Sequence, residues 1–107
     1  MYSIDITEPA ENDIADAVSY ISEQLLNPAA AGRLVDDTES AIYSLREMPQ
    51  RHALVNDDVL ARSGIRFIPV KNYLVFYVIR EEKKSVVIQR VLYGRRDWAS
   101  ILRNEAT

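Results

Sequence analysis

The sequence has no cysteine, one histidine and one tryptophan among its 107 residues. Without thiols there is no disulfide framework, no thiolate metal site and no cysteine nucleophile. That absence fits a reducing compartment, so the expected location is cytoplasmic. His52 has no partner at ligand spacing, and Asp57 with Asp58 lacks the alternating ligands of a calcium loop, so no metal is expected. The three glycines form no GxGxxG, GxxxxGK[ST] or GxSxG pattern, and no cofactor is expected. No apolar run approaches a membrane span. The opening MYSIDITEPAEND has no basic stretch followed by an apolar block, so it does not read as a signal peptide.

Charge of one sign is scarce in each half. Residues 1–61 hold 12 acidic and 3 basic side chains, whereas residues 62–103 hold 10 basic and 3 acidic ones. The net charge of −3 therefore conceals a basic C-terminal segment. Such asymmetry points to an interaction surface, because a local field rather than the total charge steers a partner.

Tyr2, Ile4 and Ile6 alternate with polar residues, which predicts a half-buried strand. Thr7 is a helix cap, and Pro9 suits a first turn. Ile14, Ala17, Val18, Ile21 and Leu25 recur at helical spacing and predict a helix over 8–26. Asn27 and Pro28 start a second helix, with Leu34, Ala41, Ile42, Leu45 and Met48 on its apolar side and Pro49 at its end. The short joint makes the two an antiparallel hairpin. Residues 49–64 show no period and read as a loop with a short strand or turn.

Three runs rich in Val, Ile, Phe and Tyr follow, over 65–71, 73–80 and 85–93, joined by short polar turns. Pro69 suggests an edge strand or a bulge. After Gly94, the residues Trp98, Ile101 and Leu102 have the spacing of a short helix capped by Asp97. The expected fold is a single α+β domain over 1–107, in the order β-α-α-β-β-β-α. Its antiparallel sheet is covered on one face by the helical hairpin.

Arginines and aromatics crowd the β half: Arg66, Lys71, Tyr73, Tyr77, Arg90, Tyr93, Arg95, Arg96 and Trp98. Such a surface suits phosphates and stacked bases. Several members have structural readings as well. Tyr73 and Tyr77 share strand parity with Val75 and Ile79 and suit core packing. Arg90 shares parity with Val86, Ile88 and Leu92, and either meets solvent or pairs with a carboxylate. Trp98 suits a helix anchor. Arg95 and Arg96 stand where strand gives way to helix, and no packing role accounts for them.

PVKNYLVFYVI (69–79) followed by VVIQRVLYGRRDW (86–98) resembles the C-terminal half of the RelE/ParE superfamily, the toxins of bacterial type II toxin–antitoxin modules. The wording is nearest the ParE-like and plasmid-stabilisation branch, and the element order is similar over nearly the whole chain. The resemblance implies a toxin held inactive by a cognate antitoxin protein. It implies one of two targets, DNA gyrase or ribosome-bound mRNA. For mRNA cleavage it implies Arg66 and Arg96 as basic catalytic residues; the proton carriers near them in the sequence are Tyr93, Asp97 and His52. For target binding in either case the residues are Lys71, Arg90, Arg95, Arg96 and Trp98.

Attack by a ribose hydroxyl needs a base and an acid as well as cations. Arginine stays protonated and serves only as a cation. Where RelE-like nucleases carry an arginine in the middle strand this chain has Leu74, and where they carry a late tyrosine it has Leu102. Gyrase is therefore favoured, mRNA cleavage is the alternative, and a non-toxic binding module or corepressor acting with the antitoxin is the third reading.

Overall fold

The computed structural model describes residues 1–106; Thr107, the last residue of the expected domain, lies outside the described residues. Strand β1 (Ser3–Ile6) leads into α1 (Glu8–Ser19). Thr7 caps α1 by accepting the Ala10 N–H at 3.3 Å. The α-helical geometry stops at Ser19, short of the expected 26, and a π-helical turn Tyr20–Gln24 completes the run. Leu26 then takes a left-handed conformation at φ 51°. Helix α2 (Pro28–Ser44) is capped by Asn27, whose side chain accepts the Ala30 N–H at 3.1 Å.

After the helical hairpin come a 3-10 turn Pro49–Arg51, a five-residue helix α3 (Asp58–Arg62), β2 (Arg66–Val70) and β3 (Tyr73–Arg80). Strand β4 (Ser85–Tyr93) and helix α4 (Trp98–Ala106) close the described chain. Asp57 starts α3 by accepting the Leu60 N–H at 3.1 Å, within the stretch expected to be loop. Among the described residues no helix is long and apolar enough to cross a membrane.

The sheet runs β1-β4-β3-β2. Strands β2, β3 and β4 are antiparallel neighbours, as expected. Strand β1 differs, because it joins β4 in parallel, with Ser3 opposite Ser85 and Ile6 opposite Ile88. A parallel pair needs a long crossover, which the helical hairpin and the two later strands supply.

Both faces of the sheet are covered. The helical hairpin packs Ala17, Leu34, Ile42 and Leu45 on Val75, Tyr77, Val86, Ile88 and Val91. On the other face Leu60, Ile65 and Leu102 pack on Phe76 and Leu92, with Trp98 alongside. A bulge in β4 decides which residues look which way. Ile88 pairs with Tyr77 and Arg90 with Phe76, so Gln89 has no opposite number. One extra residue reverses the alternation. Arg90 therefore does not share a face with Val86 and Ile88, as simple parity suggests; it shares the face of Phe76 and Leu92.

Candidate functional site: a groove at the strand exit

The exit of β4 is held by its own backbone. The Gly94 N–H donates to the Asn72 carbonyl at 2.8 Å, tying the exit to the turn between β2 and β3. A Cβ at Gly94 would lie 3.3 Å from that carbonyl oxygen, so glycine lets the two backbones approach. The Arg96 N–H reaches back to the Tyr93 carbonyl at 3.0 Å, closing a tight turn. Asp97 then caps α4, accepting the Ser100 N–H at 3.3 Å and its hydroxyl at 2.9 Å. The consequence is that Arg95 and Arg96 are both presented to solvent.

Arg96 opens onto a groove of about 580 Å³ between the end of α1 and the ends of β3 and β4. Tyr20 and Ile21 from the π-helical turn, with Leu25 that caps it, form one wall; Asn72, Tyr73 and Tyr93 form the other. Tyr73 and Tyr93 meet edge to face with ring centroids 5.6 Å apart. Burial pushes the Tyr73 phenol above its usual range, with the phenols of Tyr93 and Tyr20 adding to the effect. Its proton is therefore held more tightly than in free tyrosine. A second groove of about 310 Å³ shares Ile21, Leu25, Asn72 and Tyr73 and continues to Arg33 and Lys71. Lys71 sits in the hairpin turn at φ 55° and pairs with Asp37 at 3.4 Å, both exposed.

Arg66 lies elsewhere. Its guanidinium donates to the His52 carbonyl at 2.6 Å and the Gln50 carbonyl at 3.2 Å. It stands opposite Tyr77, four residues along β3 from Tyr73, or about 13 Å at strand rise. Tyr93 and Arg96 thus share the groove, and Arg66 is not among its lining residues. His52 accompanies Arg66. Among the described residues its Nε2 is buried without a partner, and burial and the Arg51 charge lower its pKa.

Arg90 and Trp98 are committed to the fold. Arg90 gives Asp13 two hydrogen bonds, at 2.6 and 2.8 Å, and pairs with Glu105 as well. The bonds to Asp13 push its pKa further up. Of the two readings of Arg90, solvent or carboxylate, the carboxylate holds. Trp98 packs on Phe76 at 5.2 Å between centroids and anchors α4. Among the described residues no three His, Asp or Glu side chains converge as metal ligands.

Two residues of this region escaped the sequence reading. Tyr20 follows the apolar stripe of α1 and enters the groove because the π-helical turn rotates the end of the helix toward it. Asp13 falls off the apolar stripe of α1, yet its side chain is 9% exposed and its carboxylate also accepts the Val91 N–H at 2.9 Å. Nothing in the spacing announces that contact, since its partners lie about 80 residues away.

Comparison with known proteins follows the same lines. The family model described as ParE toxin of type II toxin-antitoxin system, parDE, matches residues 4–98. No curated protein matches. Among solved structures, a chain of the chromosomal ParDE system of P. aeruginosa is similar, with a TM-score of 0.70 and 19% identity over 87% of this chain and 96% of that one. The Mycobacterium tuberculosis RelBE2 toxin–antitoxin complex gives a TM-score of 0.58 at 24% identity, covering 86% and 90%. The isolated E. coli RelE toxin gives 0.57 at 18% identity, covering all of both chains. At these identities the structural likeness speaks for the fold, and the family match spans most of the sequence. The chain belongs to the ParE toxin family of type II toxin–antitoxin systems.

Proposed function

We propose that this protein inhibits growth by binding DNA gyrase through the strand-exit groove, and that a cognate antitoxin protein silences it. The observation that carries the choice of target is the separation of Arg66 from Tyr93 and Arg96. Phosphoryl transfer from a ribose hydroxyl needs cation, base and acid around one phosphate. Here one cation is spent on the carbonyls of Gln50 and His52, and the only histidine is beside it rather than beside Arg96. Leu102, where nuclease relatives place a tyrosine, is a core residue at 3% exposure. A binding toxin needs only the presented cations and the aromatic wall, and this chain has both.

The partner reading rests on relatives. The solved ParDE and RelBE structures are toxin–antitoxin systems and complexes. On this chain, exposed Tyr20, Leu25 and Leu26 leave apolar surface at the hairpin tip for such a partner. The site of action is the cytoplasm, where gyrase and ribosomes work. Cleavage of mRNA is the second reading, favoured by Tyr93 and Arg96 lying in one groove.

Purified protein with gyrase and supercoiled DNA is expected to trap cleaved DNA, and Arg96→Ala to trap less. Thymidine incorporation is expected to fail before amino-acid incorporation after induction in a bacterial host. Translation failing first, with no trapped DNA at saturating protein, would select mRNA cleavage instead.

A further inference from the structure

Strand β1 accompanies β4 only as far as Ile88. Beyond it, among the described residues, the strand that carries Tyr93 and leads to Arg96 has no neighbouring strand on that side. Side chains take over where the neighbouring strand ends. The Thr7 hydroxyl donates to the Ile88 and Gln89 carbonyls at 2.9 and 3.0 Å. Two residues further on, the Asp13 carboxylate accepts the Val91 N–H at 2.9 Å. The same carboxylate is held by Arg90, whose Nε and Nη2 reach it at 2.6 and 2.8 Å. Both side chains are nearly enclosed, Arg90 at 15% and Asp13 at 9% exposure.

The bulge at Gln89 makes this possible. Without it, Arg90 would alternate with Val86 and Ile88 and point beneath α1 into the apolar core. With it, the guanidinium emerges at the strand edge, meeting Asp13 of α1 and Glu105 of α4 together. One arginine of β4 thus ties that strand to both α1 and α4. Asp13 and Val91 line the strand-exit groove on opposite sides, so the bond between them fixes how far the Tyr93 wall stands from the α1 wall.

We infer that Asp13 and Arg90 are positioning residues for the target-binding face: they act where β1 no longer accompanies β4, hold the last residues of β4 against α1, and so set where Tyr93 and Arg96 are presented. The inference rests on the reading of the groove as the target-binding face. It gives Arg90 a different part from direct contact with the target. The bidentate geometry matters because a guanidinium holding both carboxylate oxygens fixes the carboxylate's orientation as well as its distance.

Hydrogen exchange and toxicity, read together, test this. The double variant Asp13→Leu with Arg90→Met replaces the buried pair by apolar side chains of similar reach, a change that folds commonly accept. It removes the acceptor for the Val91 N–H. Exchange at Val91, Tyr93 and Arg96 is expected to quicken about tenfold, in line with the loss of one charge-assisted hydrogen bond. Exchange over 86–88, where β1 still pairs, is expected to stay as it was. Toxicity is expected to fall toward that of Arg96→Ala at an unchanged far-ultraviolet spectrum. Should the double variant not fold, Asp13→Asn is used instead. It keeps an oxygen for Val91 but loses the charge that fixes Arg90, so a smaller change of the same local pattern is expected.

Exchange that is unchanged, or raised evenly through the sheet, overturns the inference. So does full toxicity in a variant that has lost local protection, if Arg96→Ala abolishes toxicity. Arg96→Ala with undiminished toxicity would instead bring down the reading of the groove, and the exchange pattern alone would then decide the role of Asp13 and Arg90.

Discussion

Replacing Arg66 and Arg96 by alanine, one at a time, separates a guanidinium spent on the fold from one offered to a target. Arg66 donates to the His52 carbonyl at 2.6 Å in a partly buried setting, and to the exposed Gln50 carbonyl at 3.2 Å. A hydrogen bond from a charged donor contributes about 1.5–3 kcal/mol net. The exposed contact adds little, since water replaces it. Arg66→Ala is therefore expected to cost about 2 kcal/mol, or about 10 °C in melting temperature for a domain of this size. Arg96 is exposed and its side chain lines the groove. Its removal is expected to shift stability by less than about 0.5 kcal/mol. Thermal unfolding by circular dichroism and growth inhibition after induction give the two readouts. Arg96→Ala is expected to melt like the parent and lose toxicity. Arg66→Ala is expected to melt earlier and, at a temperature where it is folded, to remain toxic. An Arg66→Ala protein with parental melting and no toxicity would refute the reasoning, because Arg66 would then be a contact residue after all.

Three other changes have expected outcomes. Burial holds the Tyr77 phenol neutral and pushes it up to about 12 from 10.0, so its contribution is whole below 10.0 and drains away as pH rises toward 12; Tyr77→Phe should flatten that alkaline slope in denaturant midpoints and cost about 1–3 kcal/mol by leaving the Pro49 carbonyl without its 2.6 Å donor. His52 is kept neutral by burial and by Arg51, so the unfolded chain takes up a proton first, near 6.5; stability should fall as pH drops through that value, and His52→Gln should remove this part of the slope in urea titrations. Leu26→Gly relieves a left-handed leucine that is 81% exposed, and should raise the urea midpoint by an amount worth about 0.5–1 kcal/mol; a lower midpoint would mean that the leucine side chain holds the hairpin tip.

Much of the fold was legible because local chemistry decided it. The β-branched and aromatic runs gave β3 and β4 at their observed limits, and the caps Thr7, Asn27 and Asp97 act as their spacing suggests. What stayed hidden was decided at a distance. Helix α3 has five residues, too few to show a period. The parallel alignment of β1 depends on a strand more than 80 residues away. The bulge at Gln89 leaves no mark in composition, yet it turns Arg90 away from the face that alternation assigns to it. For the site, the turn after Gly94 was enough to expose Arg95 and Arg96. The capture of Arg66 by two backbone carbonyls was not foreseeable, because residues 49–64 had no readable conformation.

Parallel pairing of β1 with β4 also orders events in time. The ribosome delivers Ser3 long before Ser85, and the two must be adjacent before the sheet is closed. Chain is delivered at about 5–20 residues per second, so the first strand waits several seconds for its neighbour. Pairing at such sequence separation also lowers the folding rate. Until β4 arrives, Asp13 has neither Arg90 nor Val91 to hold, and Tyr93 and Arg96 do not yet exist. The groove forms only after β4 has emerged, because Val91, Tyr93 and Arg96 line it. Until β4 has joined β1 and Tyr93 and Arg96 have emerged, neither a target nor an antitoxin has this groove to meet.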